Sequence, residues 1–182
     1  MKKTLFPLVL LSAAALAAEN ITGAFGLELG VVQDTSNLES TCAVKGKDSS
    51  CYKEYYIKPP SPNEIFTGYT VTLTPVSNKI MEIQGFNTLK GNCNNQTEAL
   101  ADAISKKYGV KKERVKPSTN LHFKISKGNN EIRVICINGK RESQIQIYYV
   151  SKSMHKLSDK EKETLYNEEL EKNKNKTDTS TL

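Results

Sequence analysis

The fold is decided by residues 121–150, which read LHFKISKGNNEIRVICINGKRESQIQIYYV. Apolar and polar residues alternate in residues 121–125 and again in residues 144–150, the pattern of a strand with one buried face. Residues 128–130 have turn composition, and Asn138-Gly139 strongly favours a tight hairpin turn. We therefore predict three consecutive antiparallel strands, of which the middle one lies between the two turns.

An amphipathic helix is predicted immediately before this segment, over residues 95–108, because its apolar residues recur at helical spacing. Asn95 and Glu98 have the spacing of a capping box, and Asn94 is the alternative cap. Gly109 supplies a C-terminal stop. We expect this helix to lie across the sheet and to bury its apolar face there.

Further strands are predicted towards the N-terminus. Residues 69–73 and 80–83 alternate around a turn and form a hairpin. Residues 23–30 alternate between glycines and favour a first strand, and residues 58–62, KPPSP, favour a rigid extended surface connector. The predicted fold class is α+β, with an antiparallel sheet of about five strands packed on the residue 95–108 helix.

A second, charged helix is predicted at the C-terminus, where Ser158 and Glu161 have the spacing of another capping box. It runs to about residue 173, and Leu165, Tyr166 and Leu170 are its only candidates for burial. A polar, flexible tail follows. The predicted organisation is a signal peptide over residues 1–17, an α+β domain over residues 18–157, and this helix with its tail over residues 158–182.

The first residues have the features of a cleaved secretory signal peptide. Lys2 and Lys3 precede an apolar stretch over residues 5–16, and Ala15-Leu16-Ala17 satisfies the small-residue rule for cleavage after Ala17. The stretch is too short for a transmembrane span, which needs about 20 apolar residues. We therefore expect export to the periplasm or beyond without a transmembrane anchor, and cleavage lowers the formal net charge from +6 to +4.

All four cysteines, Cys42, Cys51, Cys93 and Cys136, follow the predicted cleavage site. An even number of cysteines in an exported chain indicates disulfides, and four cysteines allow three pairings. We favour Cys42–Cys51, which closes a short loop, and Cys93–Cys136, which ties a helix start to a strand. Metal binding is the alternative, but the spacing contains no Cys-x-x-Cys pair, and we predict neither a metal nor a cofactor.

Basic residues concentrate at the end of the first helix and just beyond it. They form either an ordinary solvated edge or a patch for an anionic surface or a partner. Nucleic acid is not the expected partner of an exported chain that lacks aromatic residues between its basic ones. The members of this basic patch are Lys106, Lys107, Lys111, Lys112, Arg114 and Lys116.

The sequence contains no recognisable catalytic motif, and its two histidines are His122, predicted to point outward from a strand, and His155, predicted to lie in a connector. Glycosidase chemistry needs only two Asp or Glu side chains in a cleft, and the sequence singles out no such pair. Tyr52, Tyr55 and Tyr56 form a cluster of the type found at interfaces, although local packing on an edge strand is the favoured explanation.

Several short pieces occur in order along most of the predicted mature chain. They are residues 23–30, Lys58-Pro59, Phe66, residues 69–71, residues 79–83, Cys93, residues 106–109, Cys136, residues 147–149 and residues 178–182. This ordered set resembles a group of small uncharacterised exported proteins of Gram-negative bacteria. The resemblance implies that Cys93 pairs with Cys136, since these are the two cysteines that match, and it implies no activity.

The function expected from the sequence is that of a non-catalytic periplasmic binding protein whose partner is another protein. An inhibitor or immunity protein against a toxin or lytic enzyme that acts in the periplasm is one concrete form. A small secreted hydrolase that uses a carboxylate pair is the alternative.

Overall fold

The computed structural model describes residues 19–41, 53–116 and 120–178, with side chains as far as Asn173. Within these ranges the chain is α+β, with an eight-stranded sheet, a separate two-stranded hairpin and two helices. The elements are β1 (Gly23–Ala24), β2 (Leu27–Glu28), β3 (Glu39–Ser40), β4 (Lys53–Tyr56), β5 (Gly68–Leu73), β6 (Ile80–Lys90), α1 (Asn94–Tyr108), β7 (Glu113–Arg114), β8 (Leu121–Lys127), β9 (Asn130–Asn138), β10 (Glu142–Ser151) and α2 (Lys152–Asp178).

The large sheet has the strand order β3-β4-β5-β6-β10-β9-β8-β7, and its neighbouring strands are antiparallel. The predicted hairpins are confirmed as β5–β6 and as β8–β9–β10, and they join where β6 pairs with β10. The expectation of about five strands was wrong. The sheet is wider because β4 belongs to it, and because the two-residue strands β3 and β7 extend it at either edge.

The core lies on one face of this sheet. Ile83, Val134 and Ile147 project from three neighbouring strands on this core face and are fully or almost fully buried. Helix α1 covers it with its own buried stripe, which includes Ala101 and Ile104. The opposite face, which we call the open face, carries polar side chains at the alternate positions of the same strands.

Helix α1 begins by different means from those predicted but ends as predicted. Cys93 is the N-cap residue and makes no side-chain capping hydrogen bond, so the capping box is wrong. The Asn94 N–H instead donates to the Asn92 side chain at 2.7 Å. At the other end the prediction holds: Gly109 adopts a left-handed conformation with φ of 63°, which an L side chain would resist.

Residues 23–30 do not form the single strand that the sequence predicted. They form the hairpin β1–β2, because Phe25 and Gly26 both adopt positive φ, 58° and 79°, and reverse the chain. This reversal directs the Phe25 ring to Tyr69, with ring centroids 4.9 Å apart in an edge-to-face arrangement. The hairpin thereby closes one end of the core.

Helix α2 begins at Lys152, directly after β10, six residues before the predicted start. His155 therefore lies in the helix and not in a connector. The helix also continues to Asp178, beyond the predicted end near residue 173. Ser158 is buried inside the helix, and the Glu161 carboxylate caps no helix, since it accepts hydrogen bonds from the turn between β5 and β6.

Helix α2 is the longest helix of the part of the chain that the structure describes, and its residues 162–173 are exposed to solvent. In the described ranges, neither helix combines the length and the apolar character that crossing a membrane requires. The predicted signal peptide and its cleavage site lie outside the described residues.

Candidate functional site

A groove of about 920 Å³ opens at the β3 edge of the sheet. Its walls come from the segment before β3, from the end of β4 with the prolines that follow it, and from the start of β5. We call it the Tyr56 groove. Its lining residues are Leu27, Gln33, Asn37, Leu38, Glu39, Tyr56, Ile57, Lys58, Pro59, Pro60, Pro62, Thr67, Gly68 and Tyr69.

The proline wall of the Tyr56 groove is held by hydrogen bonds at both of its ends. The Ile57 N–H donates to the Tyr69 carbonyl at 3.1 Å, and the Ser61 N–H donates to the Phe25 carbonyl at 2.9 Å. The Tyr69 hydroxyl accepts from the Asn63 N–H at 2.8 Å. Because proline also restricts the backbone itself, the wall is pre-organised and loses little entropy when a ligand binds.

The predicted tyrosine cluster is divided by the fold. Tyr56 lies on the open-face side of β4, lines the groove and is 48% exposed. Tyr55 points to the opposite face and packs against the core. Tyr52 lies outside the described residues. The sequence therefore places tyrosines in the correct neighbourhood, and the alternation of β4 selects Tyr56 as the one available to a ligand.

A chain of hydrogen bonds crosses the open face from β5 to β10. The Thr70 hydroxyl donates to the side-chain oxygen of Gln84 at 3.0 Å, and the side-chain amide of Gln84 donates to the Tyr148 hydroxyl at 2.8 Å. Tyr148 in turn donates to Gln146 at 2.7 Å. Burial raises the pKa of Tyr148 to about 12, so the phenol stays protonated and remains a donor.

Glu82 and His155 face each other where α2 passes over the open face, with His155 Nε2 3.9 Å from Glu82 Oε2. Burial raises the pKa of Glu82 to about 7, and the charges of Glu54 and Glu131 act in the same direction. Burial and then the Arg133 charge lower the pKa of His155. This pair was not predicted from the sequence, because His155 was expected to lie in a connector.

Glu131 is a nearly buried carboxylate on the open face that contacts three cations. Arg133 contacts it through Nε at 2.6 Å and Nη2 at 2.5 Å, and the amines of Lys124 and Lys152 lie 3.7 and 3.6 Å away. Burial acts to raise the pKa of Glu131, but the Arg133 hydrogen bond and the three positive charges prevail and lower it. The carboxylate is therefore ionised at neutral pH.

The basic patch predicted from the sequence is partly neutralised by its own surroundings. The Lys112 amine lies 2.7 Å from Asp102 and 3.5 Å from Glu98, and also 4.6 Å from the centre of the Phe123 ring. Lys107 lies 3.5 Å from Glu19. The other four members are exposed: Lys106, Lys111, Arg114 and Lys116.

The Cys93–Cys136 disulfide is present and both of its residues are fully buried. Cys42 and Cys51 lie outside the described residues, so their predicted bridge stays a prediction. In residues 19–41, 53–116 and 120–178, no group of three or more His, Cys, Asp or Glu side chains is arranged to hold a metal ion.

The fold and its groove define an α+β protein built on a wide antiparallel sheet, with one face occupied by the core and the other largely polar. Comparison of the chain with protein-family models, with curated proteins and with solved structures found no match.

Proposed function

We propose that this chain is an exported, non-catalytic interaction protein that binds an extended segment of another protein in the Tyr56 groove. The observation that carries the proposal is the composition of the groove, in which tyrosines and prolines form walls that backbone hydrogen bonds hold in place. Aromatic and proline-lined grooves suit extended peptides, because they offer large flat contact areas at low entropic cost.

The charges of the groove narrow the chemistry of its ligand. Lys58 and Glu39 are the charged residues of its lining, and they are opposite in sign. A segment of high net charge gains little from such a groove. We therefore infer an apolar or weakly polar segment that contains an aromatic or aliphatic side chain to cover Tyr56 and Leu38.

Three observations support export to the periplasm or to the outside. The disulfide Cys93–Cys136 belongs to the type of bond that persists in oxidising compartments. The first residues have the composition of a signal peptide cleaved after Ala17. The resemblance to small exported proteins of Gram-negative bacteria agrees with both. An inhibitor or immunity protein against a toxin or lytic enzyme that acts in the periplasm is the concrete form we propose.

Site-specific crosslinking tests the groove directly. A photoreactive amino acid replaces Thr67, which is exposed and lines the groove, in the exported protein of intact cells. The same replacement at Thr164, exposed on α2, is the matched control. We expect one partner protein to crosslink to the Thr67 position and not to the Thr164 position, and mass spectrometry of the crosslink identifies the bound segment.

The purified partner then allows two quantitative measurements. Tyr56→Ala should weaken its binding at least tenfold, and Tyr166→Ala, which removes a tyrosine that is 63% exposed on α2, should leave binding unchanged. If the chain is an inhibitor of its partner, one equivalent of the chain should abolish the activity of that partner. Equal affinity of the wild type and Tyr56→Ala, or repeated crosslinking without any partner, overturns the groove as the binding site.

The carboxylate-pair hydrolase is the second candidate, and one observation favours it. Glu54 and Glu82 lie on the same face of the sheet, both opposite Thr72 in register. The Glu54 carboxylate accepts a hydrogen bond from Thr41 at 2.9 Å, while the raised pKa of Glu82, about 7, suits a general acid. If the wild type hydrolyses a glycan and Glu82→Gln does not, this function is established. If Glu82→Gln still hydrolyses the glycan, the pair is excluded as the catalytic site.

A further inference from the structure

The open face carries more positive charge beside Glu131 than that carboxylate balances. Arg133, Lys124 and Lys152 all contact it, and each of the three side chains remains more than one third exposed to solvent. Since one carboxylate neutralises one cation, the cluster retains excess positive charge that solvent can reach.

The register of the strands makes this excess costly. Lys124 of β8 lies directly opposite Arg133 of β9, and like charges at directly opposite positions destabilise an antiparallel pair. Glu131 is two residues before Arg133, on the same face of β9. It is therefore not opposite Lys124, and it relieves the repulsion between Lys124 and Arg133 only in part. Glu113 of β7 lies opposite Lys124, but no ion pair joins the two among the described residues.

His122 lies beside this cationic pair. It occupies the same face of β8 as Lys124, two residues away, and its Nε2 atom is buried without a hydrogen-bond partner in the described part of the chain. Burial lowers the pKa of His122, and the Arg133 and Lys124 charges lower it further. A buried polar atom without a partner is costly, so the His122 ring gains a hydrogen bond if it turns this N–H toward an anion held by the two cations.

We propose that Lys124, Arg133 and His122 form a binding site for a tetrahedral oxyanion, such as a phosphate or sulfate group, on the open face of the sheet. Nε and Nη2 of Arg133 contact Glu131, which leaves Nη1 for the ligand. The Lys124 amine supplies a second positive charge, and His122 supplies an N–H donor. None of the three residues lines the Tyr56 groove, so the site is independent of the proposed function.

The sequence has two histidines, so the ring signals of His122 can be followed directly. Sulfate is the first probe, because it does not titrate near neutral pH and allows the pKa of His122 to be measured with and without the anion. NMR of the histidine ring signals is recorded at constant ionic strength, with chloride replaced by sulfate. We expect a saturable shift of the His122 signals and a rise of its pKa by about half a unit or more, since a bound anion stabilises the imidazolium.

Charge-matched variants show where the anion binds. Lys124→Gln should weaken sulfate binding at least tenfold, whereas Lys140→Gln, which removes the same charge from the exposed β9–β10 turn, should leave it unchanged. Arg133→Lys keeps the charge but loses the planar donor fork, and it should weaken binding several-fold. Lys111→Gln removes one charge from the basic patch near the end of α1, and it should leave sulfate binding unchanged.

Two further ligands distinguish the sources of the oxyanion. Inorganic phosphate and glycerol 3-phosphate are titrated in the same experiment. Tighter binding of phosphate assigns the site to the free ion, and tighter binding of glycerol 3-phosphate assigns it to an organic phosphate ester. The proposal is overturned if no probe gives a saturable shift of His122, if Lys124→Gln binds as the wild type does, or if Lys111→Gln is the variant that loses binding.

Discussion

The disulfide between Cys93 and Cys136 joins the residue that precedes α1 to the core face of β9, with the two Cα atoms 5.6 Å apart. Both sulfur atoms lie near Asn138, whose side-chain oxygen also accepts a hydrogen bond from the Ser143 hydroxyl at 3.1 Å. The bond therefore anchors the start of α1 at the same end of the sheet as the turn between β9 and β10.

Loss of this disulfide should destabilise the protein substantially. The bond spans 43 residues, and a loop of that length corresponds to roughly 4 kcal/mol in the chain-entropy model. We expect Cys93→Ala/Cys136→Ala to lower the free energy of unfolding by about this amount in urea titrations. Cys42→Ser/Cys51→Ser serves as a comparison, with a smaller expected loss of somewhat under about 3 kcal/mol for the shorter loop. A loss below about 1 kcal/mol in the first variant contradicts the prediction.

Glu161 should hold the first half of α2 to the turn between β5 and β6. Its carboxylate accepts hydrogen bonds from the Val76 N–H at 2.7 Å and from the Ser77 hydroxyl at 2.6 Å. Glu161→Ala should raise the hydrogen-exchange rate of the Val76 amide about tenfold and destabilise the protein by about 1 kcal/mol, since hydrogen bonds to a solvent-accessible carboxylate are modest. Glu163→Ala, on the exposed part of the same helix, should change neither quantity. Unchanged exchange in Glu161→Ala would show that the contact does not hold the helix.

Gly68 provides the space that the Phe86 ring occupies. The two residues are paired across β5 and β6, and a Cβ atom on Gly68 would overlap the ring. Gly68→Ala should therefore displace the partly exposed Phe86 ring and destabilise the protein by about 1 kcal/mol, the lower end of the range for overpacking. In a Phe86→Ala background the same change should cost much less, which a double-mutant cycle measures. Equal costs in the two backgrounds would mean that the ring is not the obstacle.

The parts of the fold that the sequence predicts are those with a local signal. The strands β8, β9 and β10 alternate over enough residues to reveal one buried face, and the turn after Asn138 has its own chemistry. Two-residue strands such as β3 and β7 contain no period, so their place at the sheet edges is visible only after folding. The start of α2 was missed because the spacing of Ser158 and Glu161 imitates a capping box.

The candidate sites depend on contacts between distant residues, which a local pattern does not contain. Tyr56 and Leu38 line the same groove although they lie 18 residues apart in the sequence. His155 contacts Glu82 only because α2 begins early and lies over β6. What the sequence does contain is the polar alternation of β8 and β9, which indicates the open face but not the ion pairs that form on it.

Glu82 should make the stability of the protein fall as the pH rises. Its pKa is raised from 4.5 to about 7 in the folded state, mainly by burial, so the folded protein binds the proton more tightly than the unfolded chain does. The stabilisation is complete below about pH 4.5 and is lost as the pH rises through about 7. The shift corresponds to a loss of about 3 kcal/mol by pH 8.

Glu82→Gln isolates this contribution, because glutamine resembles the protonated acid and does not titrate. The variant should match the wild type in stability at pH 4 and exceed it by up to about 3 kcal/mol at pH 8. Taking the difference between the two proteins at each pH cancels the opposite tendency of His155, whose lowered pKa destabilises the folded state in acid. Glu142→Gln, at an exposed position of β10, controls for the change in net charge. A stability difference that does not vary with pH would mean that Glu82 is ionised in the folded protein throughout this range, with His155 and Arg133 outweighing its burial.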